Sequence, residues 1–221
     1  FGGADSTWVS ESELRSYRRD GFLIKRGLLD PDEVKDGLMA IDQLLCARSP
    51  DLAPSERGQV AHELHSKISL VAGRDRAELG RIYDAARKVL PFWGMLGSRP
   101  LRETVRALLE TPFVGVAFRG AGIRFDLPGE DRYRSEWHQE YHSQISSPRG
   151  LVAWFSLSAV DLAMGPVQIA SGSQREGILP VRALDPMNRR RDYTQTFLIE
   201  RATEVAEGYP LVSTETAPGD V

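Results

Sequence analysis

The chain has 221 residues, 41% of them hydrophobic and 27% charged, with a net charge of −3. That balance is ordinary for a folded globular protein and excludes a disordered or fibrous chain. It gives no basic footprint for nucleic acid or an anionic membrane, and the short Arg189–Arg191 run followed by Asp192 reads as a solvated loop.

The length suits one large domain. No apolar run approaches the ~20 residues of a membrane span, and no signal peptide is visible. The chain starts at Phe1 and not at methionine, so both ends are expected to be trimmed. The one cysteine, Cys46, has no partner for an internal disulfide, which fits a reducing, cytoplasmic compartment. It sits beside Leu44 and Leu45 in an apolar helical pattern, and a buried structural thiol is expected there.

The N-terminal half, about 1–110, reads mostly helical. Ser10 with Glu13 forms a capping box, and Gly21 is a terminator for a helix over roughly 11–20. Phe22–Arg26 is a short strand candidate. Asp30, Pro31 and Glu33 then open a second helix, continued by Val34, Leu38, Ile41, Leu44 and Leu45 at helical spacing. Residues 48–60 read as loop. A further helix is expected from Ala77 to Leu90, and Pro100 opens another through Leu101, Val105, Leu108 and Leu109.

The pattern changes after Pro112. Short β-branched and aromatic segments alternate with turn signals, giving strand candidates at Phe113–Phe118, Ala121–Asp126, Arg134–His142, Gly150–Leu157 and Pro166–Ala170. Several short strands at this spacing predict a jelly roll or barrel. The expected fold class is α+β: a double-stranded β-helix, or cupin-like, core over about 111–221 behind a helical N-terminal half, all in one domain.

The stretch Ser135-Glu-Trp-His-Gln-Glu-Tyr-His142 carries the candidate chemistry. On a strand, residues two apart point to the same side. A histidine and a carboxylate so placed can grip one metal ion, as in the 2-His-1-carboxylate triad of non-haem Fe(II) oxygenases. Residues four apart are separated by roughly 13 Å, so only neighbours two apart chelate and a third ligand must come from elsewhere. The spacing leaves three pairs open: Glu136/His138, His138/Glu140 and Glu140/His142. The same alternation also suits the solvent face of an amphipathic strand.

Downstream come Gly150-Leu-Val-Ala-Trp-Phe-Ser-Leu157 and Asp161-Leu-Ala-Met-Gly-Pro-Val-Gln-Ile-Ala-Ser-Gly-Ser173. With the 135–142 stretch, these resemble the phytanoyl-CoA dioxygenase family of Fe(II)/2-oxoglutarate oxygenases. That family has a tryptophan and His-Gln-Asp, then Ala-Trp-x-Ala-Leu, then Asn-Gly-Pro-Leu-x-Val-x-Pro-Gly-Ser-His. Tyr17-Arg-Arg-Asp-Gly-Phe-Leu-Ile24 with Leu29-Asp-Pro-Asp-Glu-Val34 looks like its opening helix–strand–helix, and Ala217-Pro-Gly-Asp-Val221 like its Pro-Gly-Asp turn.

The resemblance implies that His138 and Glu140 are the first two iron ligands. It implies that Trp154 lies near the 2-oxoglutarate site, with Gln168 on the strand closing over the cofactor and Ser173 in the turn after it. Core packing explains Trp154 as well. Glu140 replaces the family's aspartate, and Gln174 stands where relatives have a non-ligand histidine. The distal histidine and the arginine that pairs with 2-oxoglutarate would lie beyond Val221, so these residues are expected to be part of a longer chain.

The implied activity is hydroxylation of a small-molecule metabolite, such as a carbohydrate or natural-product intermediate, with Fe(II), 2-oxoglutarate and molecular oxygen. No nucleic-acid or membrane partner is expected. A carboxylate at Glu140 argues against halogenation, since related halogenases have a small residue there. The alternative is a catalytically silent, dioxygenase-like binding protein with an incomplete metal site. His62 and His65 are three apart, which does not make the zinc motif with its separation of four, and a solvated surface is expected for them. Arg124 and Arg149 are candidates for meeting an anionic substrate or for surface ion pairs. Tyr83, Phe92 and Trp93 are expected to help build a pocket lid.

Overall fold

Helix α1 (Glu11–Asp20) begins where Ser10 and Glu13 cap each other reciprocally: the Glu13 amide donates to Ser10 Oγ at 3.2 Å, and the Ser10 amide to the Glu13 carboxylate at 2.7 Å. In the computed structural model, residues 8–117, 120–130, 134–142, 147–183 and 197–221 are described. Phe118 and the Arg189–Arg191 run lie outside them. Among the described residues the chain is mixed helix and sheet, with seven α-helices and short antiparallel strands.

The helical half comprises α1, α2 (Pro31–Arg48), α3 (Val60–Arg74), α4 (Arg76–Ala86), α5 (Leu90–Gly97) and α6 (Arg99–Leu109). Helix α2 is the centre, packed on α3, α4 and α5. Its buried residues Val34, Leu38, Ile41 and Leu45 recur every three or four positions, which makes one continuous apolar stripe. Leu64, Ile68 and Val71 of α3, Leu79 and Ile82 of α4, and Phe92 and Met95 of α5 close around it. Truncating a fully buried member such as Leu45 to alanine is expected to cost about 2–5 kcal/mol.

The sequence predicts one helix from Ala77 to Leu90; the structure breaks it in two. Val89 is extended, and Leu90 and Pro91 start α5. Proline lacks the N–H that a continuing helix would donate to Arg87, and its ring disfavours helical backbone just before it. The freed Arg87 carbonyl is instead taken by the Trp93 indole N–H at 3.0 Å. Phe92 is buried in the helical core and Trp93 packs against it, so these two do not form a lid.

The loop expected over 48–60 ends where α3 begins at Val60. It is fastened by a polar cluster. Asp42 of α2, with no solvent exposure, accepts from the Ser55 amide at 2.8 Å, the Ser55 hydroxyl at 3.0 Å and Lys67 Nζ at 2.6 Å. Cys46, one turn on from Asp42, is half-buried, not fully buried as expected.

The β half departs from the expected strands. Among the described residues, only Pro166–Ala170 of the expected strands gives a ladder, as β1 (Gln168–Ala170), which pairs antiparallel with β4 (Leu211–Ser213) in the register Gln168↔Ser213. A bridge between Val160 and Thr216 extends the contact. A second pair joins β2 (Val181–Ala183) to β3 (Phe197–Ile199), and α7 (Ala202–Glu207) follows.

The segments 121–127 and 151–157 carry no ladder among the described residues, yet their side chains alternate as in strands. Ala121, Ile123, Phe125 and Leu127, and likewise Ala153, Phe155 and Leu157, turn to the helical core. Gly122, Arg124, Val152 and Trp154 turn away. The alternation satisfies the hydrophobic pattern; the backbone pairing is a separate requirement that this part of the chain does not meet.

The 217–221 segment is stitched to the stretch after α1. Lys25 and Val221 exchange both backbone hydrogen bonds, at 2.8 and 3.0 Å, and the Leu29 amide donates to the Gly219 carbonyl at 3.0 Å. Phe22–Arg26 is therefore paired at Lys25 without forming a strand, and Arg26 already lies in a turn.

Candidate metal centre

Glu140 and His142 lie in a single 3-10 turn (Glu140–His142), and residues 134–139 are irregular; the strand expected over Arg134–His142 is not formed. The two-residue alternation therefore does not place these side chains. The turn does. It brings a Glu140 carboxylate oxygen to 3.2 Å from His138 Nε2.

His138 Nδ1 lies 2.6 Å from the Glu136 carbonyl. A carbonyl only accepts, so Nδ1 carries a proton; a carboxylate also only accepts, so the contact with Glu140 is made by a protonated Nε2, which would give up that proton to take a cation. A metal-ligating imidazole is usually held in this way. The Glu140 carboxylate pushes the His138 imidazole above its usual range, and the Glu136 carbonyl adds to this against burial and the nearby Arg124. The second Glu140 oxygen, Oε2, is buried with no hydrogen-bond partner. An orphaned carboxylate oxygen costs about 1–3 kcal/mol or more, which a cation at that point would relieve.

The residue between these two holds the segment in place. Gln139 points the other way, its Nε2 donating to the Gly177 carbonyl at 2.7 Å and its Oε1 accepting from the Leu179 amide at 2.8 Å. The imidazole of His142 is bonded through Nε2 to the Leu179 carbonyl at 2.9 Å. Of the three candidate pairs, His138/Glu140 is the one whose side-chain atoms converge, and His142 is engaged in holding the 177–179 loop. The Gln139 clamp shows in the sequence only as a polar side chain between two candidate ligands.

His138 also lines a cleft of about 290 Å³ with Glu136, Trp137, Arg182, Glu200 and Glu204 among its walls. Trp154, Gln168 and Ser173 do not line it. Trp154 is 37% exposed on the face turned from the helical core, so it is not the core aromatic that packing would explain. Gln168 donates weakly to Ser213 Oγ at 3.4 Å across β1 and β4, and Ser173 starts a 3-10 turn.

Gln174, in the same turn, donates to the Arg18 and Arg19 carbonyls at 3.3 and 3.1 Å and so closes the end of α1. Arg124 pairs with Asp126 at 2.7 Å, and Arg149 donates to the Leu109 carbonyl at 3.1 Å. His62 and His65 are exposed on α3. Among the described residues no three His, Cys, Asp or Glu side chains gather as a metal site, and no helix is long and apolar enough to cross a membrane.

Searches against protein-family models, curated proteins and solved structures found no match to this chain.

Proposed function

We propose that this chain is an Fe(II)/2-oxoglutarate-dependent dioxygenase that hydroxylates a small-molecule metabolite, with a double-stranded β-helix as the core of its β half. The observation that carries the reading is the convergence of His138 Nε2 and Glu140, 3.2 Å apart, with a buried carboxylate oxygen left unpartnered beside them. One imidazole nitrogen and one carboxylate are two of the three protein ligands of a facial triad. The β1–β4 pairing and the core-facing alternation over 121–127 and 151–157 support the fold reading.

His138 and Glu140 would hold the iron, with a further histidine as third ligand. When bound, iron and 2-oxoglutarate supply the oxidising power that turns a substrate C–H into C–OH with oxygen, giving succinate and carbon dioxide. The chain's own residues set the geometry. The Glu136 carbonyl holds a proton on His138 Nδ1, so Nε2 is the nitrogen that would release its proton and face the metal. Glu140 brings one negative charge to the cation. Gln139 and His142 hold the ligand-bearing turn against 177–179. The cleft beside His138 is where substrate would be oriented and water excluded.

The test is an anaerobic titration of the intact protein with Fe(II) and 2-oxoglutarate, following the weak visible charge-transfer band of the chelated keto acid. A band saturating at one iron per chain is expected. Its absence from folded protein overturns the reading and leaves the silent binding protein in its place.

A further inference from the structure

The antiparallel register of β2 and β3 sets Arg182 opposite Leu198, and the Glu200 amide donates to the Pro180 carbonyl at 2.8 Å, which carries the same register one pair further. Residues 180, 182, 198 and 200 therefore share one face of the pair. Arg182, Leu198 and Glu200 all line the cleft that His138 enters. As diagonal neighbours, Arg182 and Glu200 stand about 7–8 Å apart at the backbone.

Among the described residues neither Arg182 nor Glu200 has a side-chain hydrogen bond or ion pair. The neighbouring Arg201 differs: it is taken by Glu204 in a two-point pair at 2.7 and 3.0 Å. The cleft thus offers one open cation and one open anion on a single face, with Trp137 beside them.

We infer that the cleft binds a zwitterionic ligand of amino-acid type, its carboxylate on Arg182 and its ammonium on Glu200. The inference rests on the dioxygenase reading for naming that ligand a substrate. A purely anionic ligand, such as a phosphate, would set its charge against Glu200, and a purely cationic one against Arg182. A neutral sugar would hydrogen-bond both side chains but neutralise neither charge. A ligand with both charges satisfies both walls. The cleft volume of about 290 Å³ is at the small end for ligand sites, which suits a molecule of amino-acid size.

The experiment is calorimetric titration of the intact, metal-free protein with L-α-amino acids and glycine betaine. Each binder is then compared with the amine and the carboxylic acid that lack the other charge. At least one zwitterion is expected to bind saturably, and each single-charge analogue at least roughly tenfold more weakly. Arg182→Gln is expected to weaken the zwitterion roughly tenfold without affecting the amine, and Glu200→Gln to do so without affecting the carboxylic acid. Both positions are exposed, and unchanged circular dichroism confirms that the variants fold.

Failure of every zwitterion to bind, or equal binding of a single-charge analogue, overturns the inference. Zwitterion binding that responds to both variants, in protein giving no iron–keto-acid band, upholds the cleft and sinks the dioxygenase reading. A band without zwitterion binding does the reverse.

Discussion

The Leu179 backbone amide donates to Gln139 Oε1 at 2.8 Å, while Gln139 Nε2 donates to the Gly177 carbonyl at 2.7 Å. Gln139 thus stands in for a stretch of backbone, pairing with the 177–179 loop as a strand would. This substitutes for the ladder that the Arg134–His142 segment does not form, and it holds the turn on which His138 and Glu140 meet.

Gln139→Ala is expected to weaken Fe(II) affinity roughly tenfold while leaving the ligands in place, as loss of supporting hydrogen bonds does in metal sites. Fe(II) titration checks this, and Gln139→Glu tests the two halves of the clamp. A carboxylate still accepts from the Leu179 amide but cannot donate to Gly177, so it restores only part of the loss. Equal affinity in all three proteins would remove Gln139 from the site.

Glu140→Ala is expected to abolish iron binding, and His142→Ala to leave it largely intact. The imidazole of His142 is committed to the Leu179 carbonyl at 2.9 Å. Its loss is read as about 1 kcal/mol of stability by urea unfolding, the net value of one hydrogen bond. Loss of iron with His142→Ala would move the ligand pair to Glu140 and His142.

Asp42 gives a pH-dependent term. Burial pushes its carboxyl up, but Lys67 and the Ser55 amide and hydroxyl more than offset this and hold it below the usual carboxylate range. The folded protein therefore binds fewer protons here than the unfolded chain does. The stabilisation is present above the ordinary carboxylate value, near 4, and is lost as pH falls through the depressed folded value. Lys67→Met leaves a buried charge without its partner and is expected to cost about 3–5 kcal/mol at neutral pH. Urea unfolding of both proteins from pH 7 down to 3 checks both points: the gap between them should narrow towards acid as Asp42 takes up a proton.

Asp220 is 3% exposed and fastens 217–221 to the segment after α1. It accepts from the Gly27 amide at 2.7 Å, the Ala217 amide at 2.9 Å and Arg26 at 2.6 Å. Asp220→Ala strands these donors and is expected to cost about 2–4 kcal/mol. Gly219→Ala tests the same contact by another route. Its φ of 86° favours glycine, and an added Cβ would lie 3.0 Å from the Leu29 carbonyl oxygen. Slower hydrogen exchange at Lys25 and Leu29 in the parent than in either variant is the local signature.

The helices with local signals were legible from the residues alone. Ser10 with Glu13, Asp30 with Pro31, and Pro100 fix α1, α2 and α6 because caps and prolines act within one turn. Residue type and spacing also marked the 135–142 stretch but left three candidate pairs open, and the family resemblance implied His138 and Glu140 among them. How those two meet rests on long-range contacts: they meet on a 3-10 turn and not on a strand, and Gln139 and His142 bond that turn to a loop some 40 positions away. The same holds for Gln174. Its sequence position suggested a lost histidine, and its structural role is to close α1, where Gly21 at φ 82° leaves no room for a side chain. Long-range partners of this kind carry no local periodicity, so a single sequence does not display them.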